Sequence, residues 1–315
     1  MSELKLTILG SGSALPRGDA FHTSQVLEMR NKQFMIDCGE GAQIRMRQNC
    51  VHTARLNHIF ISHLHGDHCF GLIGLISTLG MLGRTADITI HSHPDLEGLL
   101  APQVKYFCSE FPFEVKYFCS EFPFEVKFEP FAPYKSEVIY DDRSVKITTL
   151  PLKHRVPSSG FLFEEKPTER HLVKKMLDAY EVPLVQYRAI KAGADFVTPD
   201  GEVVPNHRLT TDPTPPKRFA YMSDTAYTEK HLDLIHGVDC LYHESTFLIE
   251  DAARIKATLH SSAAQAATLA KKAEVKQLII GHYSARYDDR SVFLDEARAI
   301  FPNTQAAFDG ASYLF

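Results

Sequence analysis

No stretch of about twenty apolar residues occurs in the 315-residue chain, so a membrane-spanning helix is not expected. The N-terminal MSELKLTILGSGSALP carries charge and glycine where a signal peptide has an apolar stretch, and a cytoplasmic protein is the expectation. Cysteine is sparse. The six residues (Cys38, Cys50, Cys69, Cys108, Cys119 and Cys240) form no CxxC pair, and two exist only because a segment is duplicated, which argues against a disulfide framework and a cysteine-zinc site. Positive charge is also lacking. At a net charge of −5 the chain has no general affinity for nucleic acid, so a nucleic-acid substrate would need a local basic patch. What remains is a soluble globular protein whose 44% hydrophobic content suffices for a substantial core.

The informative pattern is a recurrence of short β-rich apolar runs that end in a histidine or an acid. HIFISH leads to His63, VKITTLPLKH to His154, RFAYMSD to Asp224, DCLYHES to His243 and Glu244, and QLIIGH to His282. Strands buried on both faces read this way, and loops at their C-terminal ends collect polar groups from distant parts of a chain. Helical stretches lie between them. SSAAQAATLAKKAEV has an N-cap at Ser261 or Ser262, and HPDLEGLLAPQVKYF is a weaker candidate interrupted by Pro102. Alternation of this kind predicts an α/β layered fold, sheet on sheet with helices outside.

The strongest chemical signal is SHLHGDHCFG, which supplies His63, His65, Asp67 and His68 within six residues, after a strand and before an apolar segment. Imidazole and carboxylate suit zinc, and a turn eased by Gly66 presents alternate residues to two neighbouring ions. Two ions need more ligands than one loop provides. His154 and His282 can each complete one, and Asp224 can bridge both, giving seven protein groups around metals about 3.5–4 Å apart.

From Glu164 to about Pro216 the chain turns polar. Residues 166–191 hold six basic side chains (Lys166, Arg170, Lys174, Lys175, Arg188, Lys191) against three acids, and Leu172, Val173, Met176, Leu177 and Tyr180 fall at helical spacing. A substrate arm and a merely solvated surface helix both fit this composition. Ser284 and Arg286, in GHYSARY, are weak candidates for holding a phosphate, and a structural salt bridge explains Arg286 equally well. Residues 104–125 spell VKYFCSEFPFE twice. Pro112 and Pro123 break any continuous helix through the pair, and two units are too few for a solenoid, so a tolerated tandem duplication away from the metals is expected.

HLHGDH followed at long range by PLKH, SDT, HEST and GHYSARY resembles the metallo-β-lactamase superfamily. Together with LGSGSALP, IDCGEGAQIRM and HSSAAQAA, it resembles more narrowly the ribonuclease Z (tRNase Z) family, over nearly the whole chain. The resemblance implies an αββα four-layer sandwich forming one domain over residues 1–315, with an inserted tRNA-binding arm at 165–200. It implies two zinc ions per subunit, with manganese or other divalent ions as alternatives, and no organic cofactor. His63, His65, His154 and Asp224 would hold one ion; Asp67, His68, Asp224 and His282 would hold the other. Asp67 would also accept a proton from the attacking water, and His260, oriented by Glu244, would protonate the leaving oxygen. The implied activity is endonucleolytic removal of the 3′ trailer from precursor tRNA, leaving a 3′-hydroxyl, by a homodimer in which one subunit's arm serves the other's site. Arg170, Lys174 and Lys175 are the implied arm contacts. Where many arms of the family have a glycine-proline tip, this one reads EVPLVQY. Other readings are another dizinc hydrolase of the same fold, an iron oxidoreductase, and a non-catalytic RNA-binding relative. The full set of seven ligands counts against the last.

Overall fold

The computed structural model describes residues 4–15, 20–108 and 124–315. Two seven-stranded sheets dominate. The first runs, edge to edge, Ser312–Leu314, Lys5–Gly10, Ser24–Met29, Lys32–Cys38, Leu56–Phe60, Ile88–Ser92 and Val126–Pro130. The second runs Thr304–Ala306, Leu278–Gly281, Cys240–Glu244, Arg218–Met222, Ser158–Glu165, Val145–Leu152 and Val138–Asp141.

Alternation along each strand sorts side chains between two kinds of core. Phe34 and Ile36 of the first sheet join Phe161, Phe163, Phe219 and Tyr221 of the second in one buried cluster between the sheets. The intervening residues point outward to helices. Met35 packs with Met46, Leu72, Ile76 and Leu96 from helices Ala42–Gln48, Leu72–Met81 and Asp95–Cys108. Ala220 and Met222 pack with Ala266, Ala267, Ala270 and Phe293 from helices Ala263–Lys272 and Ser291–Arg298. The result is the expected helix–sheet–sheet–helix layering.

Four of the five expected strand-to-loop runs sit on hydrogen-bonded parallel strands, whose C-terminal ends all carry polar groups; the run to His154 is antiparallel to its hairpin partner. Ser262 is the N-cap of helix Ala263–Lys272, in a reciprocal capping box with Gln265. One expectation changes. Pro102 does not interrupt its helix, which runs through it from Asp95 to Cys108. Leu96 and Leu100 face inward while Gly98 and Pro102 are exposed, so water can satisfy the Gly98 carbonyl that loses its partner. The duplicated segment 104–125 lies largely outside the described residues, and its expected position with it. Among the described residues no helix is long and apolar enough to cross a membrane.

Residues 165–216 form a compact unit of their own. Its core is Leu177, Val182, Ile190, Phe196, Val204 and Leu209, and the last two lie beyond residue 200. Strand His171–Leu172 pairs with Thr210–Thr211, and Phe196–Val197 with Val203–Val204. The helix expected to start near Leu172 starts at Lys174, because Leu172 is taken by the strand pairing.

Candidate metal centre

Strand ends build the site. His63 and His65 follow strand Leu56–Phe60, and His65 precedes the short helix Gly66–Cys69 that carries Asp67 and His68. Asp224 and His282 lie just past strands Arg218–Met222 and Leu278–Gly281, both in left-handed backbone (φ 57° and 61°) that L-residues adopt only under constraint. Glycine closes the loop against its neighbour. A Cβ on Gly71 would stand 2.0 Å from the Gly39 carbonyl oxygen, so the FG end of HGDHCFG and the DCGEG turn approach to a distance no other residue pair allows.

All seven expected ligands converge. His63, His65, His154 and Asp224 form one group, and Asp67, His68 and His282 another, with the candidate ligand atoms in each group lying within 4.8 Å of one another. Asp224 joins them. Its Oδ1 lies 3.9 Å from His63 Nε2 and 3.8 Å from His154 Nε2, while its Oδ2 lies 3.0 Å from His68 Nε2 and 3.3 Å from His282 Nε2. His65 turns its Nδ1 inward, 2.8 Å from His63 Nε2.

On the other four histidines the second ring nitrogen is held from behind. His63 Nδ1 meets Ser62 Oγ at 3.1 Å, His68 Nδ1 the Asp37 carboxylate at 2.8 Å, His154 Nδ1 the Leu259 carbonyl at 3.3 Å and His282 Nδ1 Thr246 Oγ1 at 2.9 Å. Histidines that bind metal are oriented in this way. The inward Nε2 atoms of His68, His154 and His282 are buried without a hydrogen-bond partner. Such orphaned nitrogens beside two carboxylates are what a divalent cation satisfies, so the donor set fits one.

Electrostatics agree. Burial would raise the Asp224 carboxyl, but His282, His68 and His63 hold it well below the usual range. Asp67 is lowered in the same sense, with His68 and His282 outweighing burial. His68, which burial alone would neutralise, is held as a cation by Asp224, Asp37 and Asp67. The cluster therefore demands positive charge, and a metal can supply it in place of that proton.

Beside the ligands, His260 Nδ1 lies 3.1 Å from both Glu244 oxygens. Glu244 is fully buried and also accepts from Thr225 N, Thr246 Oγ1 and Ser261 N, which fixes it in place. Burial would lower the His260 pKa, but the Glu244 carboxylate raises it to about 9. His243 is buried, its Nδ1 2.7 Å from the Glu244 carbonyl, and it lies in neither ligand group.

A cavity of about 950 Å³ opens over the cluster, lined by Asp67, Phe70, Arg155, Phe247, His260 and Arg286 among others. Ser284 lines it too, and among the described residues Arg286 makes no ion pair. Arg170, Lys174 and Lys175 belong to the 165–216 unit. Arg170 is held there by Asp212 at 2.6 Å, whereas Lys174 and Lys175 are exposed.

Sequence reading missed Asp37. It is the penultimate residue of strand Lys32–Cys38, in left-handed backbone (φ 56°), is fully buried, and accepts hydrogen bonds from Ser62 N and from Tyr221 OH at 2.6 Å. QFMIDC is the same signal as the other five runs, an apolar strand ending in an acid.

Comparison with known proteins places this geometry. Residues 204–283 match the model of the Beta-lactamase superfamily domain, and residues 4–100 that of Anti-Pycsar protein Apyc1. The fold is similar to human tRNase Z, short form, with a TM-score of 0.67 at 22% identity and 98% of each chain covered. It is also similar to the metallo-beta-lactamase fold protein YhfI from Bacillus subtilis, with a TM-score of 0.66 at 15% identity, covering 99% of this chain and 100% of that one. Those likenesses concern the fold alone. In sequence, the protein called Ribonuclease Z in Bacteroides thetaiotaomicron is 55% identical, covering 98% of this chain and 94% of that protein. The protein of the same name in Porphyromonas gingivalis W83 is 47% identical, covering 98% and 97%. Identity at that level along almost the full length of both partners leaves one assignment, and the chain belongs to the ribonuclease Z family.

Proposed function

We propose that the chain is a zinc-dependent endoribonuclease that removes the 3′ trailer from precursor tRNA. The observation that carries the reading is Asp224, whose two oxygens face two separate sets of imidazole nitrogens. That is the donor pattern of a two-cation centre, and two-cation centres suit in-line displacement at phosphorus. His63, His65, His154 and Asp224 would hold one ion, and Asp67, His68, His282 and Asp224 the other. Bound there, divalent cations supply Lewis acidity, polarising the phosphodiester and making water acidic enough to attack near neutral pH.

The chain's own groups manage the protons. Asp67, ionised and 8% exposed at the cavity wall, accepts one from the water whose oxygen bonds to phosphorus. As the bond from phosphorus to the 3′-oxygen breaks, His260 donates its proton to that oxygen, and Glu244 holds the imidazole in its charged form until then. The products are a tRNA 3′-hydroxyl and a trailer with a 5′-phosphate. Exposed Lys174 and Lys175 support a tRNA-gripping role for the 165–216 unit. Family likeness extends the reading to a cytoplasmic homodimer, which sedimentation of the purified protein would test.

The deciding experiment incubates purified protein with a 3′-extended precursor tRNA, with and without chelator, and maps the new end. Cleavage immediately 3′ of the last tRNA nucleotide, lost with chelator and restored by zinc, is expected; no cut, or one indifferent to chelator, refutes the reading. Asp67→Ala should abolish cleavage while leaving much of the RNA binding, measured by gel shift. Wild-type turnover by that variant would remove Asp67 from its assigned role.

A further inference from the structure

Phe70 is the most exposed aromatic ring on the cavity wall, 64% accessible, whereas most other phenylalanines among the described residues are buried. A single exposed apolar side chain is ordinary. This one is held in place. Its ring lies over Gly66, where a Cβ would meet it at 2.5 Å, and its amide donates to the Gly66 carbonyl at 2.9 Å. Gly66 therefore has a second use beyond easing the turn between His65 and Asp67: its bare Cα face seats the ring.

Position gives the ring a partner. In the reaction proposed above, on which this inference rests, the leaving oxygen is the 3′-oxygen of the last tRNA nucleotide, beside His260. An in-line attack brings water from the opposite side, where Asp67 stands. Phe247, 6% exposed, packs against the His260 ring at 6.1 Å, whereas Phe70 follows Asp67 by three residues on the same turn. The exposed ring is thus on the side of the phosphate away from the retained tRNA end. Single-stranded nucleotides are bound on exposed rings, because every base has a π face, and the contact is indifferent to sequence, as a trailer of varying sequence requires.

We propose that Phe70 is a stacking platform for the base of the first trailer nucleotide and aligns the scissile phosphate with Asp67. The test is a cycle of enzyme and substrate changes. Wild type, Phe70→Ala and Phe70→Trp are assayed on an intact precursor, on one abasic at the first trailer position, and on one abasic at the last tRNA position. Phe70→Ala is expected to lower kcat/KM about tenfold on the intact precursor, the scale of one base–aromatic stack, with Phe70→Trp retaining activity. On the substrate abasic at the first trailer position, wild type and Phe70→Ala should become equal; with the last tRNA base removed, the difference should persist. The proposal is overturned by a full alanine effect on the trailer-abasic substrate, by none on the intact precursor, or by an effect that vanishes only when the last tRNA base is missing. Wild-type protein that cuts no precursor overturns the proposed function and this inference together; cleavage with an insensitive Phe70 overturns the inference alone.

Discussion

Asp37 shows how much one carboxylate can organise. Four donors converge on it: the Ser62 amide and hydroxyl, the Tyr221 hydroxyl and the His68 imidazole. Asn at this position would turn an amide N–H₂ toward those donors, freeing His68 to rotate. Asp37→Asn is expected to weaken metal affinity by about 10- to 100-fold, read by competition with a chromogenic chelator. Unchanged affinity would reduce Asp37 to a packing role. A second pair, buried His91 and half-buried His58, bears on acid stability. His91 is stacked on Phe60 at 4.5 Å and lies 3.1 Å from His58. Burial, then His58, lowers the His91 pKa to about 3; burial, then Lys32, lowers that of His58 to about 4. Both folded values lie below the ordinary 6.5, so the unfolded chain takes up protons first. The stability these groups contribute is complete above pH 6.5 and is lost as pH falls toward 4 and 3. His91→Phe should reduce the proton uptake on unfolding by about one between pH 6 and pH 4, measured from urea midpoints. An unaltered pH slope would refute the assignment.

At the scale of elements, the 165–216 unit changes how its role should be tested. Deleting 168–190 alone would remove Leu177, Val182 and Ile190 and leave Phe196, Val204 and Leu209 without a core. A cleaner cut is available. Glu164 and Arg218 are register partners on adjacent antiparallel strands, so residues 166–216 replace what topology allows to be a tight hairpin turn. Substituting Asn-Gly for them should preserve the folded sheets and raise the KM for precursor tRNA by about 10²-fold, the scale of a lost second contact. A nitrophenyl phosphodiester, which no arm can grip, should be hydrolysed as before. Equal loss on both substrates would mean that the unit supports the centre rather than the substrate. Within this unit Leu184 and Val185, 79% and 81% exposed, present apolar side chains to solvent.

The whole molecule concentrates charge where a cation fits. Asp67, Asp224 and Asp37 lie around one cluster of histidines, and they hold His68 as a cation. Native-state metal binding should therefore raise thermal stability, by about 4 kcal/mol per site at a thousandfold excess over Kd. Calorimetry before and after chelation, with zinc added back, measures it; an unmoved Tm would show that the folded chain holds no ion.

Much of this site was legible in the sequence, and the residues show why. His63, His65, Asp67 and His68 are neighbours in one loop, so local spacing reveals them; His154, Asp224 and His282 each follow an apolar strand, so a strand-end pattern finds them. Asp37 carried the same signal and was passed over. Thr246 and the Leu259 carbonyl carried none, because a hydroxyl or a peptide oxygen becomes the partner of His282 or His154 only when segments distant in sequence are set side by side. The strand pairing that delays the arm helix to Lys174 is likewise made with residues some forty positions away. Sequence alone determined which candidate donor groups the chain carries, and the layered fold, since both follow from side-chain type and local periodicity. Tertiary structure decided which nitrogens turn inward, that Asp224 divides its two oxygens between two sets of histidines, and that Phe70 stays in solvent beside them, because orientation and exposure belong to the packing of remote segments.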